Sequence, residues 1–166
     1  MKVWAYGNDI NTDMLFPGKY TYKCSTAEEI LPHLLEDLDA TFAKEAKKGD
    51  VILAGSNFGC GSSREQPALG LQALGIEAII AKSFARIFYR AAINQGLLLV
   101  ECAEAVDAFK PGDEVKVDAA AGTVSVAGKS YQFPALPKEI LAIREAGGLL
   151  EYARAKLIKA KGASHG

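Results

Sequence analysis

"DVILAGSNFGCGSSREQPALGLQALG", residues 50–75, joins a continuous apolar run to a helix-forming segment through a long polar turn. "DVILAG" suits a strand buried on both faces, and "ALGLQALG" suits a packed helix; the reading places that helix over about 64–74. The turn between them, residues 55–67, holds three glycines, three serines, an arginine and a glutamate, with no large aliphatic residue. A strand that ends in a glycine-rich loop and opens a helix presents bare backbone N–H groups to an anion, and the helix dipole adds roughly half a positive charge there. Gly59 and Gly61 allow a ligand close to the backbone, Ser62 and Ser63 fall at or just before the first turn, and Arg64 offers a planar fork for a carboxylate. The pattern is not a P-loop, because no Gly-Lys-Ser/Thr follows. It is not a dinucleotide fingerprint, because Arg64 stands at the third glycine position. Two readings fit the residues alone: a carboxylate or phosphate site with hydroxyls beside it, and a serine N-cap with Arg64 and Glu65 in a surface pair.

Outward from this turn the rhythm is strand and helix in alternation. Residues 1–6 read as a strand, "IEAIIAK" (76–82) and "LLLVE" (97–101) as two more, and "FARIFYRAAINQ" (84–95) as the helix between them. Short connections between such elements indicate an α/β layer with parallel strands. Upstream, Ser25 and Glu28 have capping-box spacing before "TAEEILPHLL", which Pro32 shortens or kinks, and "TFAKEAKK" is a further short helix. After residue 110 the pattern changes. "EVKVD", "TVSVA" and "SYQF" alternate and are separated by glycine turns, so they read as an antiparallel β-meander. "LPKEILAIREAGGLLEYARAKLIKA" is one helix broken at Gly147-Gly148 or two in succession, and "KGASHG" reads as a frayed tail. The expectation is one α/β domain over residues 1–166, with a C-terminal helical tail from about 137.

The totals narrow the function. With 166 residues, 49% hydrophobic, the chain can bury a core. Its net charge of -1 and lack of a basic block argue against nucleic acid as main partner. No apolar run is long enough for a bilayer, and the N-terminus has no secretory pattern, which gives a cytoplasmic, non-membrane expectation. Cys24, Cys60 and Cys102 are widely spaced, and the two histidines are His33, set among leucines, and His165 near the end. Neither a metal site nor a Ser–His–Asp triad is expected from these.

A second stretch, "NDINTDMLFPGKY" (8–20), is rich in Asn and Asp. It reads either as an Asx-rich loop that satisfies its own backbone, or as a segment bringing Asp13 near the serines to orient Arg64 or a hydroxyl. "NTDMLFPGKY" (11–20), "GDVILAGSNFGCGSSREQPALGL" (49–71) and "AKSFARIFYRAAINQGLLLV" (81–100), in this order, resemble the small subunit of the isopropylmalate dehydratase and homoaconitase family, which is similar to the swivelling domain of aconitase. The resemblance covers about residues 1–140. It implies a swivelling β/β/α fold and an active site shared with a large subunit that carries a [4Fe–4S] cluster. The implied reaction is the dehydration and rehydration of a hydroxy di- or tricarboxylate. It further implies Ser62 as the base, Ser63 and Arg64, with Gly61, as substrate-binding, and Asp13 as an active-site support.

The chain departs from the family where Gln66 replaces a common histidine, which removes any proton role there. In the segment after Tyr20 that selects substrate, it reads "TYKCS", so Lys23 is a candidate carboxylate contact and Lys19 another. Arg86 and Arg90 are candidates for the cleft or the partner. Isopropylmalate is the favoured substrate, with homoaconitate or a methylated malate or citrate as alternatives. A stand-alone carboxylate-binding module is the reading from a different class.

Overall fold

The computed structural model describes residues 1–163. All four residues of β2 (Val51–Ala54) are buried, and a strand apolar on both sides must lie between two layers. Beside it lie β1 (Val3–Ala5) on one edge and β3 (Ala78–Ala81), then β4 (Leu99–Glu101), on the other, in the order β1-β2-β3-β4 and all parallel. Val51 pairs with Val3 and Ala78, and Ile79 with Leu99.

The alternation of side chains sends each half of a strand to a different core. Ile52, Ala54, Ile79, Ala81 and Leu99 pack beneath α4 (Gln66–Leu74) and α5 (Arg86–Asn94), which contribute Ala68, Leu71, Phe88 and Ala92. Val51, Ala78, Ile80 and Val100 pack instead on α6 (Ala103–Ala108) and on an antiparallel sheet. That sheet is β5 (Val115–Asp118), β6 (Thr123–Val126) and β7 (Lys129–Gln132), in sequence order. Val115, Val124 and Val126 are its buried members. The layers are therefore antiparallel sheet, parallel sheet and helices, the β/β/α arrangement expected. The six-residue α6 has no counterpart in the sequence reading, because it is too short to display a helical period.

Three short helices, α1 (Thr12–Leu15), α2 (Ala27–Ile30) and α3 (Phe42–Glu45), connect β1 to β2. The capping box sits one residue later than expected. Thr26, not Ser25, accepts from the Glu29 amide, and the Glu29 carboxylate accepts from the amides of both Ser25 and Thr26. The same spacing exists for Thr26 and Glu29, and one carboxylate there serves two amides. Pro32 lies in the 3-10 turn Leu31–His33 that ends α2. At the amino end of β2, Asp50 is 4% exposed. It accepts from the Lys2 amide (2.8 Å), the Lys47 amide (2.9 Å) and the Trp4 indole (3.1 Å). Burial alone would raise its pKa, but these donors and the nearby N-terminus hold it below the usual carboxylate range.

The C-terminal segment forms two helices, α7 (Lys138–Ala146) and α8 (Leu149–Ala163), separated by Gly147 and Gly148 at φ of +92° and +131°. The expected frayed tail is helical through Ala163; its last residues, His165 among them, lie outside the described residues.

Candidate active site

The loops after β1, β2 and β3 meet at the carboxyl ends of the strands, where open α/β sheets bind ligands. The turn after β2 is held on both sides. Toward the loop after β1, the amides of Gly55, Asp9, Gly59 and Thr12 donate to the carbonyls of Gly7, Ser56, Ile10 and Cys60 at 2.7–3.0 Å. Toward the loop after β3, the Phe58 amide donates to the Ser83 carbonyl and the Ala85 amide to that of Phe58. The Asx-rich segment serves this stitching. Asn8 Oδ1 accepts from the Ser56 amide, Asp9 Oδ1 from Asn57 Nδ2, and Asn11 Oδ1 from the Met14 amide at the start of α1. Gly59, at φ +84°, lies against the Phe88 ring, so a Cβ there would overlap it.

Beyond Cys60 the chain leaves this ladder, and Gly61, Ser62 and Ser63 are exposed. They line a cleft of about 330 Å³ together with Arg64, Ala85, Arg86 and Ile87. Helix α4 begins at Gln66 rather than near 64, since Pro67 has no amide hydrogen and fits a first turn. The serines thus precede α4 by three residues or more, and neither caps it. The helix whose first residues border the cleft is α5.

Arg64 does not stand open in the cleft. Its side chain is 9% exposed, and Nη2 donates to Asp13 Oδ1 (2.9 Å) and to the Phe16 carbonyl (2.8 Å). Nη1 donates to Thr21 Oγ1 (3.1 Å). Asp13 is 69% exposed, and Gly18 beneath it leaves room that a Cβ, 3.0 Å from Oδ1, would crowd. Gln66 Nε2 donates to the Thr21 carbonyl (3.0 Å), so Arg64 and Gln66 both hold the segment after Tyr20. Within that segment Tyr22 is fully exposed, and Lys23 is exposed and outside the cleft lining. His33 stacks on Tyr20, with ring centroids 3.9 Å apart, and bonds Glu36, a role away from the cleft.

On the other flank of α5 a cavity of about 390 Å³ is lined by Phe84, Arg86, Tyr89, Arg90, Glu101 and Phe133, among others. Burial, and then the Glu101 charge, push the Tyr89 phenol upward. Of the residues singled out in the sequence, Gly61, Ser62, Ser63, Arg64 and Arg86 share the cleft, Asp13 reaches it through Arg64, and Lys23 and Arg90 lie outside its lining. Thr12 and Ile87 also line it; both lie in stretches that carry the family resemblance, but the sequence reading singles out neither as a site residue. Among the described residues no three His, Cys, Asp or Glu side chains group to hold a metal ion. The donors among the described residues therefore do not fit an iron–sulfur cluster.

The sequence model of the aconitase C-terminal domain family matches residues 9–105. The chain belongs to that family, and within it to the small subunits of the 3-isopropylmalate dehydratases. It is 44% identical to the 3-isopropylmalate dehydratase small subunit of Heliobacterium modesticaldum, over 96% of this chain and 97% of the relative. It is 48% identical to small subunit 1 of that enzyme from Archaeoglobus fulgidus, over 92% of this chain and 95% of the relative. The crystal structure of a 3-isopropylmalate dehydratase from Methanocaldococcus jannaschii superposes with a TM-score of 0.86 at 40% identity, covering 97% of this chain and 96% of that one.

Proposed function

We propose that the chain is the small subunit of a hydro-lyase that isomerises 3-isopropylmalate by removing water and adding it back on the neighbouring carbon. Its large-subunit partner would supply the other wall of the site, and in this reading the [4Fe–4S] cluster belongs to that partner. The observation that carries the reading is a cleft lined by the exposed Ser62 and Ser63, by the paired Arg64 and by the start of α5.

Serine is not acidic near neutral pH, so a serine base needs a positive setting. Arg64 and Arg86 bring two cations to the cleft, and the α5 dipole adds its positive end. In this setting Ser62 as alkoxide takes the proton from the substrate carbon, hydroxide leaves the adjacent carbon, and the return step reverses proton and hydroxyl on exchanged carbons. Ser63 and the amide side of Gly61 bind the substrate. Asp13 fixes Arg64, which in turn holds the segment after Tyr20. Three free thiols suit the cytoplasm, and no helix among the described residues is long and apolar enough to cross a membrane.

The test is a substrate panel on the chain alone and mixed with a large subunit. The expected result is no turnover alone and turnover of 3-isopropylmalate by the pair. Turnover confined to homoaconitate, a methylated malate or a methylated citrate would reassign the substrate. Carboxylate binding without a partner, and no activity on mixing, would leave a binding module.

A further inference from the structure

The cavity on the other flank of α5 lies at the free edge of the parallel sheet, against the carboxyl end of β4, the end at which open α/β sheets take ligands. At about 390 Å³ it falls within the roughly 300–1,000 Å³ of small-molecule sites. Helix α5 lends it Tyr89 and Arg90, and β4 lends it Leu99 and Glu101. Phe84 precedes α5, its ring centroid 6.0 Å from that of Tyr89, and Phe133 follows β7.

The walls are apolar and the polar groups are uncommitted. Leu99 and Phe133 are buried, and Phe84 and Tyr89 are half-buried. Among the described residues Arg90 and Glu101 make no ion pair and no side-chain hydrogen bond, and the Tyr89 hydroxyl makes no hydrogen bond. Nearby charges behave otherwise: Lys82 closes on Asp107 at 2.6 Å, and Arg144 on Glu77 at 2.8 Å. Around this cavity a cation and an anion stay apart, beside three aromatic rings and a leucine. A carboxylate needs the cation, an ammonium needs the anion, and an apolar body needs the rings.

We propose that this cavity binds an apolar α-amino acid, its carboxylate on Arg90, its ammonium on Glu101 and its side chain among Phe84, Tyr89 and Phe133. The site is separate from the serine cleft and does not depend on the hydro-lyase reading. Arg86 lines both cavity and cleft, so it carries no part of the assignment.

The experiment titrates the full chain with phenylalanine by calorimetry, then with 3-phenylpropionate, which lacks the ammonium, 2-phenylethylamine, which lacks the carboxylate, and alanine, which lacks the ring. Phenylalanine is expected to saturate one site. Loss of either charged group weakens binding roughly 10- to 100-fold, the worth of a charge-assisted hydrogen bond, and loss of the ring weakens it by a similar factor through lost apolar burial. Arg90→Gln and Glu101→Gln, both at exposed positions, each raise the phenylalanine Kd by a similar factor. The cycle is specific: the Glu101→Gln chain no longer prefers phenylalanine to 3-phenylpropionate, and the Arg90→Gln chain no longer prefers it to 2-phenylethylamine.

A wild-type chain that shows no saturable phenylalanine binding overturns the proposal. So does binding that neither substitution moves, because the site would then lie elsewhere. A wild-type chain that takes 3-phenylpropionate as tightly as phenylalanine leaves a plain carboxylate site and overturns the amino-acid assignment. Phenylalanine binding that disappears when the chain is assembled with a large subunit also overturns it, because the cavity would then be part of the interface.

Discussion

At the amino end of β2, Asp50 is buried and takes three donors from two segments, the N-terminal strand and the turn before β2. At the carboxyl end, the turn that β2 feeds exposes Ser62 and Ser63, whose hydroxyls make no hydrogen bond among the described residues. The same strand thus carries a closed polar knot at one end and open polar groups at the other. A closed knot lowers the free energy of the fold, since buried polar atoms left alone are costly. Open groups contribute little to the fold and remain available to a ligand. Asp13 falls between the two cases, mostly exposed yet paired to an arginine whose side chain is 9% exposed.

The contrast can be broken by substitution. The largest effect is expected for Ser62→Ala in the assembled enzyme, a fall in kcat of roughly a thousandfold (about 4 kcal/mol in the barrier) with KM and Tm near wild type. Near-normal turnover in that variant would show that the open end does not hold the base.

Asp50→Ala is the mirror experiment. It should cost about 3 kcal/mol of stability by leaving an indole N–H and two amides without acceptors, a Tm drop of roughly 10 °C in thermal unfolding. An assembled enzyme with this change keeps its wild-type KM. The same group sets a pH dependence. Because its folded pKa is depressed, its stabilisation is present above the unfolded carboxylate value of about 4 and is lost as pH falls through the lower folded value. Denaturant titrations of wild type and Asp50→Asn should therefore differ most above about pH 4 and converge in more acid solution. A gap that persists at low pH would assign the effect to packing.

The smallest effect belongs to Asp13→Asn. Solvent screens its ion pair with Arg64, so a loss of about 0.5 kcal/mol is expected by chemical denaturation. A loss several times larger would move Asp13 to the architectural side of the comparison.

Much of the fold is legible along the chain because its signals are local. "VILA" and "AIIA" are apolar without interruption, as strands buried on both faces must be, and "TVSVA" alternates, as a strand over one core must. Pairings through space are not legible in this way. That Thr26 rather than Ser25 caps α2, that α4 waits until Gln66, and that α6 exists depend on which amides find acceptors after folding.

The site divides along the same line. The residue order by itself determined that a glycine-serine-arginine turn follows a buried strand, and that this turn, with an Asp-bearing segment upstream, matches the pattern of the family. Only the tertiary structure decided where each cation lies and what it touches. Arg64 is drawn onto Asp13, Thr21 and Phe16, residues 43 to 51 positions away, while Arg86 is brought to the lining of the same cleft by the β3–α5 connection. A sequence shows which charges exist; whether a guanidinium is closed by its own chain or left open to a ligand is a matter of three-dimensional distance.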